Sequence, residues 1–170
     1  MKIRTLEADD AAILLEFELQ NRAWFEQFVL PRADLVYSQD GIAAHIETCL
    51  NDYASGTMHP CIILDHDGRI AGRANLKDIN SVERTTEIGY RIAQEYVGKG
   101  VATEAVEYLK TLGYGQWRLA RLLAFVTVEN PASARVLEKC GFVRGQLMPD
   151  KSELKSKILD CYLYQHIPAA

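Results

Sequence analysis

The chain has 170 residues, 48% of them hydrophobic and 25% charged, and 19 Lys and Arg stand against 23 Asp and Glu for a net charge of −4. That length implies one domain, 1–170, large enough to bury roughly 70% of its unfolded surface without a metal or disulfide staple, and the composition excludes disordered, collagen-like and coiled-coil chains. The acidic balance excludes a dedicated nucleic-acid binder.

The opening, Met1 to Asp10, has no apolar h-region, and no apolar run approaches the ~18 residues that a membrane helix needs. Cysteines 49, 61, 140 and 161 show no C-x-x-C spacing and each falls in an apolar stretch. They read as reduced core residues of a cytoplasmic protein and not as a metal site. Lys2 to Leu6 is a short alternating strand. Residues 9–22 predict a helix with Ile13, Leu14 and Phe17 on one face, followed by Trp24, Phe25 and Phe28 and ended by Pro31. Ile42, His45, Ile46, Cys49, Leu50 and Tyr53 recur at helical spacing, so 40–55 is a second amphipathic helix, stopped by Gly56. Residues 60–65 and 69–77 form a hairpin around Asp67-Gly68, and 83–92 is a third strand in series.

Gly98-Lys99-Gly100 then opens a helix whose buried stripe is Ala102, Ala105, Val106, Leu109 and Leu112, with Gly113 and Gly115 as its stop. The apolar run Leu119 to Val128 predicts a strand covered on both faces. Asn130 caps the next helix, Pro131 occupies its first position and Gly141 ends it; 142–147 and about 157–165 are two closing strands. The order β-α-α-β-β-β-α-β-α-β-β is that of an α/β (α+β) sandwich with helices packed on one sheet.

Chemistry concentrates between Glu87 and Phe142. A strand, Gly98-x-Gly100 and a helix make an anion-binding arrangement, because glycines let backbone N–H groups come close and the helix N-terminus favours a phosphate. Lys99 adds charge there; a plain turn has the same residues. The G-x-x-x-x-G-K-[ST] loop of nucleotide triphosphatases is missing, and the third glycine of a dinucleotide fingerprint is replaced by Thr103. Three sheet strands before the loop also disagree with a dinucleotide-binding fold. A pyrophosphate ligand on a different fold is left.

Here the sequence resembles a known superfamily. Glu87-Ile-Gly-Tyr-Arg-Ile92 followed by Gly98-Lys-Gly-Val-Ala-Thr-Glu-Ala105 is similar to the acetyl-coenzyme A motif of the GNAT N-acetyltransferases. Val128-Glu-Asn-Pro-Ala-Ser133 through Glu138-Lys-Cys-Gly-Phe142 is similar to the motif that follows it. Tyr-Val-Gly-Lys-Gly with Asn-x-x-Ser before Gly-Phe resembles most the Rim-type ribosomal-protein alanine acetyltransferases. The resemblance implies a mixed, mostly antiparallel sheet flanked by helices. It implies acetyl transfer from acetyl-coenzyme A, without a metal, directly to a primary amine. That acceptor is a protein N-terminal α-amine or, alternatively, a small amine such as a polyamine, amino acid or aminoglycoside. A non-catalytic acyl-coenzyme A binder on the same fold is the competing class. A monomer or homodimer without membrane or nucleic-acid partners fits this reading.

Carried over residue by residue, the resemblance gives Tyr90, Arg91 and Ile92 main-chain contacts to the pantetheine arm. It gives Val97, Gly98, Lys99, Gly100, Val101, Ala102 and Thr103 the pyrophosphate. Asn130 and Ser133 face the coenzyme, with Ser133 at its sulfur. Two departures stand out. Glu95 occupies a position where the superfamily has Gln or Arg, so backbone N–H groups must carry the phosphate. Leu137 stands where many members have a Tyr as general acid, which leaves Ser133 as donor to the leaving thiolate. Glu87 is the one obvious carboxylate for the amine's proton, and it reads equally as a solvated strand residue. Ser133 reads also as a small packing residue, Asn130 as a plain N-cap, and His45 as a packed histidine. Phe28 and Arg32 stay open between an acceptor cleft and surface packing. Segments 21–40 and 146–157 are the expected acceptor loops.

Overall fold

The computed structural model describes residues 1–154 and 156–169; Lys155 of the 146–157 segment and Ala170 lie outside the described residues. Seven strands and four helices follow the predicted order. They are β1 (Lys2–Thr5), α1 (Ala11–Phe25), α2 (Gln39–Ala54), β2 (His59–Leu64), β3 (Ile70–Asn80), β4 (Thr85–Ile92), α3 (Val101–Gly115), β5 (Arg121–Thr127), α4 (Pro131–Lys139), β6 (Val143–Leu154) and β7 (Lys157–His166). One sheet runs β1-β2-β3-β4-β5-β7-β6. Every neighbouring pair is antiparallel except β4 and β5, which are parallel and joined through α3. Among the described residues no helix is long and apolar enough to cross a membrane, and all four cysteines are free and buried.

The helices form where apolar spacing gives one buried stripe. Leu14, Phe17, Glu18, Asn21 and Phe25 are buried on α1, and Ile42, Ile46 and Cys49 on α2. Ser38 starts α2 by accepting the Gly41 N–H at 3.0 Å. Side-chain contacts place the helices on opposite faces of the sheet. Arg73 of β3 reaches Glu18 of α1 and His45 of α2; Tyr90 of β4 reaches Ser133 of α4 on the other face. Leu122 of β5 pairs with Thr86, which puts it on the Tyr90 face, under α3. A small polar chain ties α3 to β2. The Trp117 indole N–H donates to His59 Nδ1 at 2.9 Å, so Nε2 carries the proton that faces Thr5 Oγ1 at 2.8 Å.

Three expectations need correction. Gly113 does not stop α3 but sits inside it, buried, where a Cβ would come within 3.0 Å of Leu122 Cδ2; the glycine lets the helix lie close on β5. β5 is not covered on both faces: Leu122, Ala124 and Val126 are buried, whereas Leu123, Phe125 and Thr127 are only half-buried, because α1 and α2 lie over β2 and β3. The described part of the 146–157 segment is mostly strand. β6 continues to Leu154 with irregular pairing after Arg144 and after Met148, and it is an exposed edge strand whose polar residues give no alternating pattern.

Candidate active site at the parting of two strands

β4 and β5 pair only over Thr85–Glu87 and Arg121–Leu123, then diverge. The Ala93 N–H donates to Ala71 O at 2.9 Å. Carried back along the β3–β4 register, this turns the peptide groups of Glu87, Gly89 and Arg91 toward β3. Those of Tyr90 therefore point into the opening, where no strand stands opposite. Arg91, expected to offer main-chain groups there, cannot do so. Ile92 does so only in part, since its carbonyl accepts the Trp24 indole N–H at 3.1 Å.

The glycine loop lies just beyond. A 3-10 turn over Gln94–Tyr96 leads to Val97, Gly98, Lys99 and Gly100, all exposed. Gly98 and Gly100 have φ of +77° and +82°, the left-handed region that side chains disfavour, and a Cβ on either would point into open space. Gly100 is the N-cap of α3 and no side chain caps it. The first N–H groups of the helix, on Val101, Ala102 and Thr103, thus have no partner one turn back and face outward with the positive end of the dipole. Val101 is itself buried, so it offers its backbone only. The loop is tied down from the side: the Tyr96 hydroxyl donates to Asp65 Oδ2 at 2.5 Å, and Lys99 Nζ lies 5.5 Å from the Tyr96 ring centre. The exposed N–H groups, the glycine spacing and Lys99 together fit a pyrophosphate, and the exposed Glu95 takes no part in these contacts.

On the far side of the opening Asn130 caps α4, its Oδ1 accepting the Ser133 N–H at 3.2 Å. Ser133 Oγ meets the Tyr90 hydroxyl at 2.8 Å, a contact between β4 and α4 that bridges the opening. Burial pushes the Tyr90 phenol up to about 12, so it keeps its proton at neutral pH. Sequence reasoning gave Tyr90 a main-chain role only. Leu137, at the position of the superfamily's general-acid Tyr, is buried in the core; that absence is the one sequence signal that could have directed attention to a phenol elsewhere. Glu87 lies on the opposite face, a quarter exposed, with its Oε1 2.6 Å from Lys77 Nζ. His45 is partly buried beside Arg73, which donates to its Nε2 at 3.0 Å; burial and then the neighbouring Arg73 hold it down to about 4, so it is neutral. Phe28 is exposed and edges onto Trp24, whereas Arg32 turns inward to Glu18 at 3.1 Å.

Comparison with known proteins agrees with this geometry. Residues 1–143 match the family model described as an acetyltransferase (GNAT) domain. The chain is 32% identical over 147 residues to the "Putative ribosomal N-acetyltransferase YdaF" of Bacillus subtilis, covering 83% of this chain and 76% of that protein. It is 30% identical over 175 residues to spermidine N(1)-acetyltransferase of Escherichia coli, covering 98% and 87%. Its fold is similar to that of the ribosomal-protein-S5-alanine acetyltransferase of Vibrio fischeri, with a TM-score of 0.92 at 20% identity over 97% of this chain and 91% of that one.

Proposed function

The chain belongs to the GNAT acetyltransferase family, whose acetyl donor is acetyl-coenzyme A, and from that premise we propose that it acetylates a protein N-terminal α-amine by direct transfer within a ternary complex. The observation that carries this reading is the Tyr90–Ser133 pair standing across the parted strands next to the Gly98–Gly100 loop. The coenzyme supplies a thioester whose acetyl group passes to the amine. The backbone from Val97 to Thr103 would hold its pyrophosphate, and the outward peptide groups of Tyr90 its pantetheine arm. Ser133 Oγ, backed by the protonated Tyr90, is placed to give a hydrogen bond to a leaving thiolate. The half-buried Leu123, Phe125 and Thr127, with Lys151 over the Phe125 ring, line the opposite face, which is the acceptor side on this reading. The reduced, buried cysteines suit a cytoplasmic setting. Similarity to the YdaF protein supports a ribosomal-type acceptor; similarity to the spermidine enzyme favours a polyamine as second reading. A thiol-release assay over N-terminal peptides, polyamines and free amino acids decides between them: release with no amine in the panel would leave a coenzyme binder only.

Two further results are expected. Gly98→Val or Gly100→Val puts a branched side chain into the left-handed region and into the open space before α3. Coenzyme A affinity measured by calorimetry falls at least about tenfold, taking the loss of one or two charge-assisted hydrogen bonds as the guide. Unchanged affinity in a protein that melts normally would move the phosphate site elsewhere. If Glu87 takes the amine's proton, directly or through water, Glu87→Gln lowers kcat/KM most at low pH, where neutral amine is scarcest, and the acidic limb of the profile moves or vanishes. Lys77→Met is the control, since it opens the same cross-strand ion pair and leaves the carboxylate. Identical profiles for wild type and Glu87→Gln would reduce Glu87 to an ion-pair partner.

A further inference from the structure

Beneath α1 lies a charge arrangement that acetyl transfer does not use. Glu18, 1% exposed, is met by Arg32 at 3.1 Å and by Arg73 and Arg91 at 3.3 Å each. Three guanidinium groups thus face one carboxylate, and neutral His45 adds nothing, so the cluster carries an excess of two positive charges. Arg73 is 2% exposed, and its Nε is the one buried side-chain nitrogen or oxygen without a hydrogen-bond partner among the described residues. Arg32 and Arg91 are each about a fifth exposed and spend one N–H on Glu18. Each has further donors in a fork that matches a carboxylate. Close by, Arg22 pairs with Glu26 and Asp34. That outer group is one charge negative, but Asp34 is almost fully exposed and screened by water.

Desolvated cations are costly without counter-charge, so an unmatched excess of them favours the binding of an anion. The position of the excess is informative. Arg91 follows Tyr90 on the strand that borders the opening, and its side chain points to the opposite face, where Leu123, Phe125 and Thr127 are half-buried and Lys151 lies over the Phe125 ring. The Arg91 guanidinium stacks at 5.0 Å on the Phe25 ring at the end of α1, and Arg32 comes from the segment joining α1 to α2. On the acceptor reading of that face, Arg91 stands beside the gap, because its strand β4 forms one wall of it.

We infer that the acceptor carries a carboxylate close to its amine and that Arg32 and Arg91, with Arg73 behind them, receive it. The inference rests on the reading of this face as the acceptor side. It names the substrate class: an acidic N-terminal peptide, whose carboxylate is a side chain, or a free amino acid, whose carboxylate is its own. A polycation is disfavoured, because its second ammonium would meet the same excess charge.

The test is calorimetric binding to the full chain saturated with coenzyme A, which needs no turnover. Two isosteric pairs serve as probes: Ala-Glu-Ala-amide against Ala-Gln-Ala-amide, and alanine against alaninamide. One charged member is expected to bind about 10- to 100-fold more tightly than its neutral partner, as for a hydrogen-bonded ion pair, and the pair that shows the difference identifies the source of the carboxylate. In Arg91→Gln the ratio falls toward one; Arg32→Gln, in a connecting segment, gives the same reading should the strand variant fold poorly. Equal binding within both pairs, or tighter binding of spermidine than of either charged probe, overturns the inference. Preference without thiol release from acetyl-coenzyme A by any amine would sink the proposed activity and leave this inference standing. Release without preference would do the reverse.

Discussion

Tyr90→Phe is expected to lower kcat by about 10- to 100-fold, somewhat less than the usual cost of losing the donor to developing charge itself, because Tyr90 acts through Ser133. The ring stays, so packing between β4 and α4 changes little; what goes is the hydroxyl that meets Ser133 Oγ at 2.8 Å. Ser133→Ala removes the other partner and is expected to lower kcat by roughly 10- to 1,000-fold. In each case KM for acetyl-coenzyme A stays near its wild-type value, because the interaction strengthens as the sulfur becomes negative and adds little to ground-state binding. The double variant separates a working pair from two independent residues. If the hydroxyls act as one donor chain, the two losses do not add, and the double variant is about as slow as the slower single one. Because burial holds the phenol at about 12, the pair stays protonated across the ordinary assay range, and no basic limb below about pH 10 should be traceable to Tyr90. A Tyr90→Phe enzyme with full kcat would make the contact a structural staple.

Glu18→Gln is expected to destabilise the fold by about 3–5 kcal/mol, the usual result of removing one member of a buried ion cluster. The substitution keeps shape and volume but leaves three guanidinium groups facing one another, of which Arg73 has no route to solvent. For a chain of this size that is roughly 6–20 °C in Tm, read by calorimetry or by a urea midpoint at constant m. Glu26→Gln is the comparison, since its ion pair with Arg22 is partly solvated and should change stability by less than about 1 kcal/mol. If the two variants melt together, Glu18 does not hold the cluster.

The order of elements was legible because most of it is dictated locally. Asn130, Gly56 and Gly141 mark helix ends by their own chemistry, and Asp65 to Arg69 closes a hairpin around Gly68. The glycine loop was legible for the same reason, since a left-handed residue before a helix leaves its mark in the residue type. What failed depends on neighbours. The start of β6 was read as a strand, but its continuation past Leu147 borders water on one side, so nothing in its composition distinguishes it from a loop. β5 is as apolar as a strand covered on both faces but is only half covered. Glu18 follows Phe17 on α1 and reads as a solvated helix residue; only the fold brings Arg32, Arg73 and Arg91 to it. The Tyr90–Ser133 contact joins residues 43 apart through no repeating pattern, so it becomes visible only when β4 and α4 are set side by side.

The short stretch over which β4 and β5 are paired gives the sheet a seam. On one side β1 to β4 form an antiparallel unit, and on the other β5, β7 and β6 form a second. The backbone ladder between them spans only Thr85–Glu87 and Arg121–Leu123, with α3 packed on β4 and, at Gly113, against Leu122 of β5, and the Tyr90–Ser133 contact as an outer stitch. Cooperative units in proteins tend to separate along such lines. A ligand whose amide-bearing arm enters the gap takes the place of the missing ladder and joins the two units. Donor binding in the gap, as proposed above, would by linkage raise the free energy of opening the seam.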